Sequence, residues 1–142
     1  MQGLSWTMRN KSLHVLYIKM DELKKRILLF LFGCIGTRAL FAYIAKNINL
    51  MYLPLLGYLA LLPMIGFIYI YLTGSRQTGA EVFGAKIWWN NLRPIHALLY
   101  GLFAYYAIQR ATFAWKFLLA DVLIGFFAFM AYHYNRGDFA KL

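Results

Sequence analysis

Residues 50–72 of this chain are 23 consecutive residues without a charged side chain, and nothing else in the sequence constrains its fold as strongly. As a helix such a run rises ~34 Å, enough to cross a hydrocarbon core of ~30 Å. Lipid offers no partner to backbone N–H and C=O groups, so a helix that satisfies its own is the expected form. Tyr52, Tyr69 and Tyr71 stand toward its ends as interfacial anchors. Pro54, Gly57, Pro63 and Gly66 fall within it and predict a kinked helix. A gating hinge is the sharper reading of the same residues.

Composition agrees with lipid as the solvent. Of 142 residues, 62% are hydrophobic, 19% aromatic and 14% charged, where a soluble domain is about half apolar and a quarter charged. That sets aside the soluble-enzyme classes. Further apolar blocks near 27–45, 94–109 and 117–134 bring the total to about four transmembrane helices, an all-α integral membrane protein. The block at 27–45 is expected to be retained as a span, because the polar lead is too long for a signal peptide and no small-residue cleavage pattern follows. Gly33 and Gly36 within it offer a weak flat patch for another helix. The third block is marginal in length, with 16 uncharged residues between Arg93 and Arg110. It spans if both arginines snorkel outward; a tilted or re-entrant segment is the alternative.

Two units follow from this division, a basic segment 1–26 and a transmembrane helical domain 27–142. In the first, Leu13, Leu16, Tyr17, Met20 and Leu23 recur at helical spacing, and Ser12 is a candidate cap. The expected form is an amphipathic helix lying in the headgroup layer before the chain turns inward. Lys19, Lys24, Lys25 and Arg26 are its candidate contacts to anionic lipid or to a protein partner.

The interval 73–94 is the most individual stretch, with three glycines, a Trp pair, an Asn pair and Arg-Pro. Trp88, Trp89, Arg93 and His96, with Trp115 further on, fit the aromatic and basic belt at a membrane surface as interfacial anchors. Asn90, Asn91, Arg93 and His96 read alternatively as donors to a phosphate or carboxylate. TGSRQTG is no phosphate-binding loop, since it lacks the Gly-Lys-Ser/Thr ending. The tripeptide Arg136 to Asp138 matches an integrin-binding motif in letters only.

The formal net charge is +10. In a four-span arrangement eleven cations fall on the side of the N terminus, the central loop and the tail, against three on the other. The positive-inside rule then sets the N terminus on the cytoplasmic-type side, and it does not decide between four spans and three. Arg38 and Asp121 are the formal charges well inside apolar blocks, and a charge at that depth needs a partner or water. Their depths match in the four-span arrangement, which predicts an intramembrane ion pair joining the first and last helices, with Tyr105 or Tyr106 adding a hydrogen bond. His96 and His133 are expected near the cytoplasmic boundary. Two histidines without a nearby carboxylate or thiolate make a poor metal site, and lone Cys34 excludes an internal disulfide framework. No nucleophile, base and acid come together in sequence, so no catalytic residue and no cofactor are expected.

KIWWNNLRPIHALLY, followed by FAYYAI, resembles small multispan membrane proteins of large nucleocytoplasmic DNA viruses. The resemblance rests on about 30 residues of the central loop and third block, roughly 73–108, and carries no catalytic motif. It implies a virion internal membrane component associated with the capsid, or residence in the host-derived intracellular membrane from which that membrane is made. The expected function is therefore non-enzymatic and structural or scaffolding. Its expected partners are an anionic bilayer, the capsid or other membrane proteins, and further copies of itself. Nucleic acid is disfavoured, because lipid headgroups are the nearer anions. A small oligomeric transporter or channel lined by Arg38 and Asp121 is the rival. A lipid-acting enzyme would have to use His96, His133 and Glu81.

Overall fold

A computed structural model describes residues 2–78 and 86–142. Glu81, with the rest of 79–85, lies outside the described residues. The described chain is helical: α1 (Gln2–Leu28), a π-helical segment (Leu29–Ile35), α2 (Gly36–Asn47), α3 (Leu53–Thr73), α4 (Arg93–Ile108) and α5 (Trp115–Asn135). Short 3-10 turns cover Asn90–Leu92 and Asp138–Lys141.

Three helices are long and apolar enough to cross a membrane, Thr7–Asn47, Leu53–Thr73 and Trp115–Asn135. The expected count of about four is corrected by α4. Its 16 residues rise only ~24 Å, short of the hydrocarbon core. The physical reason lies at its start: Arg93, its first residue, is 3% exposed and bonded to Asn90 and to the Arg76 carbonyl, so the helix begins against protein.

At the N terminus, α1 runs through the π-helical segment into α2 with no break at residue 26, so 2–26 continues the first apolar helix. Every residue from 7 to 19 is exposed, Leu13, Leu16 and Tyr17 among them. Ser12 is no cap. It sits in mid-helix with its hydroxyl donating to the Arg9 carbonyl at 2.9 Å, the usual recourse of an interior serine.

The π-helical segment corrects the phase of the first apolar block. Its closing hydrogen bond runs from the Gly36 N–H to the Leu31 carbonyl, five residues back. Buried Ile27 and Phe30 precede it, and buried Ile35, Ala42 and Ala45 follow. The step of five from Phe30 to Ile35 breaks the 3.6-residue period, and the wider turn is what keeps both sets, with Arg38 in the second, facing the bundle.

α3 and α4 pack closely because small side chains meet. Ala60, Ala104 and Ala107 are buried, and a Cβ at Gly57 would stand 3.0 Å from the Ala104 carbonyl oxygen. The opposite face of α3 exposes Leu55, Leu59, Leu62, Ile65, Tyr69 and Leu72. Large apolar groups outside and small ones inside suit a lipid surround. Pro54 starts α3 from its first turn, where a missing N–H costs little, and Pro63 is carried inside the helix.

Candidate functional site

Each of the four apolar helical passages contributes a side chain to one charge cluster inside the bundle. Arg38 enters from α2, His96 from the first turn of α4 and Asp121 from α5. Phe67 of α3 lies under the Arg38 guanidinium, 5.1 Å from its ring centroid. Arg38 Nη1 stands 3.4 Å from each Asp121 carboxylate oxygen and 3.3 Å from His96 Nδ1. His96 Nδ1 in turn contacts Asp121 Oδ1 directly. The Asp121 side chain is 1% exposed and that of Arg38 14%.

The chemistry of the three groups orders them. The carboxylate accepts and the guanidinium only donates, so His96 carries its proton on Nδ1 and donates it to Asp121. Arg38 therefore donates to the carboxylate and not to the ring, and its positive charge is paired with the negative charge of Asp121. Buried charges hold in an apolar interior under that condition of pairing. Gly125 makes the space: a Cβ there would meet Ile35 Cδ1 at 3.1 Å and stand 3.7 Å from Arg38 Nη1.

The structure thus brings together the Arg38 and Asp121 expected to pair, and adds a member. His96 is buried at 3% exposure and turns inward to Asp121. Neither Tyr105 nor Tyr106 takes the expected place. Tyr105 is exposed, and Tyr106 stacks on Phe117 with ring centroids 5.3 Å apart. Arg93 is likewise buried, donating to Asn90 Oδ1 at 2.7 Å and to the Arg76 carbonyl at 3.3 Å. The quartet of Asn90, Asn91, Arg93 and His96 does not converge, since His96 turns to Asp121 and Asn91 is exposed.

The tryptophans also face protein. Trp88 stacks on Tyr132 at 4.4 Å, and both Trp88 and Trp89 lie against Phe30, at 5.8 and 5.2 Å. Trp115 is half-buried with the Lys46 ammonium 4.9 Å over its ring. Lys19, Lys24 and Lys25 are exposed, Lys25 paired with Asp21 at 3.1 Å. Arg26 instead lines a cavity of about 280 Å³ with Trp88, Trp89 and His133.

A second cluster escaped sequence reasoning. Asp138 is 2% exposed and bonded to His133 Nδ1 at 2.7 Å, with Arg136 Nε at 3.7 Å and Lys141 Nζ at 3.4 Å. Burial alone would raise its carboxyl pKa, but the hydrogen bond from His133 and the charges of Arg136 and Lys141 outweigh it and hold the pKa below its ordinary value. Gly137 at φ 68° allows the reversal that folds the tail back. An Asp138 turned inward presents no integrin-type motif. Among the described residues, no group of three or more His, Cys, Asp or Glu side chains is arranged to hold a metal ion. Comparison with protein-family models, curated proteins and solved structures finds no match to this chain.

Proposed function

We propose that this chain is a non-enzymatic membrane scaffold, in which a locked helical bundle anchors a rigid basic arm. The observation that carries the reading is the unbroken helical path from Gln2 to Asn47. The arm, exposed on all sides from 7 to 19, is held at a set distance from the bilayer by the same helix that buries Arg38 among His96 and Asp121. Its cations suit anionic headgroups or an acidic protein surface. The eleven-to-three charge bias of the sequence supports a cytoplasmic-type side for the arm.

The viral resemblance supplies the setting, the internal membrane of a large DNA virus beneath its capsid. Quantitative mass spectrometry of purified particles, before and after detergent extraction of lipid, tests it. Many copies per particle that loosen with the lipid are the expected result. A protein found only in cell membranes sinks the virion assignment.

The contact between His96 and Asp121 favours one other reading, a small oligomeric transporter that moves protons through the cluster. It requires proton flux in vesicles reconstituted with the full chain, abolished in Asp121→Asn. The scaffold reading expects no flux above that of empty vesicles.

A further inference from the structure

Along α1 and into the π-helical segment, Leu13, Leu16, Met20, Leu23, Ile27 and Phe30 follow one another in alternating steps of three and four, the spacing by which one helix lays a seam on another. The inner end of that seam is in use. Ile27 and Phe30 are buried, Phe30 stacks on Phe129 of α5 with ring centroids 4.8 Å apart, and Leu23 packs against the same cluster. The outer end is bare, with Leu13 57% and Leu16 56% exposed. The difference follows from where α5 stops. Arg38 lies opposite Asp121 and Phe30 opposite Phe129, so the two helices run antiparallel, and in that register the end of α5 at Asn135 falls near Lys24. Past it the chain reverses at Gly137, and α1 carries the seam onward without its helical neighbour.

The positions beside the seam set the charge of what fits there. Lys19 and Lys24 stand on its two flanks and are exposed, whereas Asp21 and Glu22 fall on the other face of the helix. Two copies of the arm laid in parallel would set Lys19 of one against Lys24 of the other, a like-charge pair that opposes self-association. Val15 and Ile18 are also exposed but lie off the seam. We propose that the arm docks an amphipathic helix of a partner protein, apolar along its seam and acidic at its flanks, which takes up the line of α5 where α5 ends. The proposal rests on the scaffold reading and names the class of partner that the arm holds.

The full chain in phosphatidylcholine nanodiscs is titrated, at low salt, into fluorescent three-heptad peptides with leucine along the seam and either glutamate or lysine at the flanks, and anisotropy is read. The glutamate peptide is expected to bind and the lysine peptide is not. Leu16→Ser should weaken binding about tenfold, as loss of an apolar anchor does, while Ile18→Ser should leave it unchanged. Both side chains are exposed, so neither change touches the core. Replacing Lys19 and Lys24 together by Gln should also cost about tenfold, a loss that salt reduces. Equal binding of the two peptides overturns the proposal, as does equal loss in Leu16→Ser and Ile18→Ser. A Leu16→Cys variant in a Cys34→Ser background that crosslinks to its own copy overturns it in favour of self-association, and phosphatidylglycerol vesicles that hold the arm more tightly than the glutamate peptide does overturn it in favour of a lipid surface. A folded chain that binds neither peptide overturns the docking alone and leaves the scaffold reading to its own test.

Discussion

The cluster of Arg38, His96 and Asp121 puts its consequences on single side chains. Removing one partner of a buried ion pair leaves the other charge uncompensated, at a cost of about 3–5 kcal/mol. Asp121→Asn and Arg38→Gln are each expected to lower stability by that order in detergent unfolding. The double variant should lose far less than the sum, because it leaves no orphaned charge, and additive losses would mean that the two do not interact. Asp138 behaves differently because it sits outside the spans and titrates below the ordinary carboxylate range. Its ionised form is the one the fold favours, so its stabilisation is fully present above the unfolded-state pKa and is lost as pH falls through the depressed folded value. The fluorescence of Trp88, stacked on Tyr132 beside this turn, should keep its neutral-pH value through the usual carboxylate titration and change only at lower pH. In Asp138→Asn that acid transition should be missing.

At the scale of helices, two glycines of α3 separate packing from propensity. Alanine in place of glycine favours a helix by about 1 kcal/mol wherever space permits. At Gly66 a Cβ meets nothing within 4 Å, whereas at Gly57 it would press at 3.0 Å on the Ala104 backbone oxygen and at 3.1 Å on the Ala107 Cβ. Gly66→Ala is therefore expected to hold or raise the melting temperature. Gly57→Ala should lower it, with strain of about 1–3 kcal/mol exceeding the propensity gain. Equal melting temperatures for the two variants would show that α3 and α4 do not approach as closely as the geometry has them. α4, of 16 residues, starts against protein, with its first residue Arg93 buried at 3% exposure.

The whole molecule is a helical bundle with one helix continued beyond it. Spin labels at Leu13→Cys and Leu40→Cys, in a Cys34→Ser background, read that continuity directly, since both leucines are 57% exposed. A single helix sets them ~40 Å apart, and double electron–electron resonance should give one narrow distribution near that value. A helix that turns into the headgroup plane near residue 26 would give a shorter and broader one. The basic N-terminal half should then attach reconstituted vesicles to anionic ones. Replacing Lys19, Lys24 and Lys25 by Gln is expected to weaken that attachment by about 1 kcal/mol per lysine at low salt, and physiological salt should reduce the difference. Attachment that is equal in the triple variant would assign the contact to other residues.

Length and hydropathy alone determined that this chain is helical and apolar on the scale of a bilayer, because backbone in lipid has few ways to satisfy its hydrogen bonds. The position of α3, the presence of α5 and the need of Arg38 and Asp121 for each other were legible from the same argument, since an isolated charge among apolar residues calls for a partner. What remained illegible depends on neighbours distant in sequence. His96 read as an interfacial residue because its contact with Asp121, 25 residues away, is one no local pattern records. The five-residue step from Phe30 to Ile35 is invisible to a search for a 3.6-residue period. Asp138 stood in the sequence only as the last letter of an integrin-type tripeptide, and Gly137, at φ 68°, turns it back onto His133. Periodicity and charge are summed along the chain, whereas the pairing of Asp121 with His96 and the bend onto His133 are chosen by packing, where an unpaired buried group costs more than the local preference it overrides.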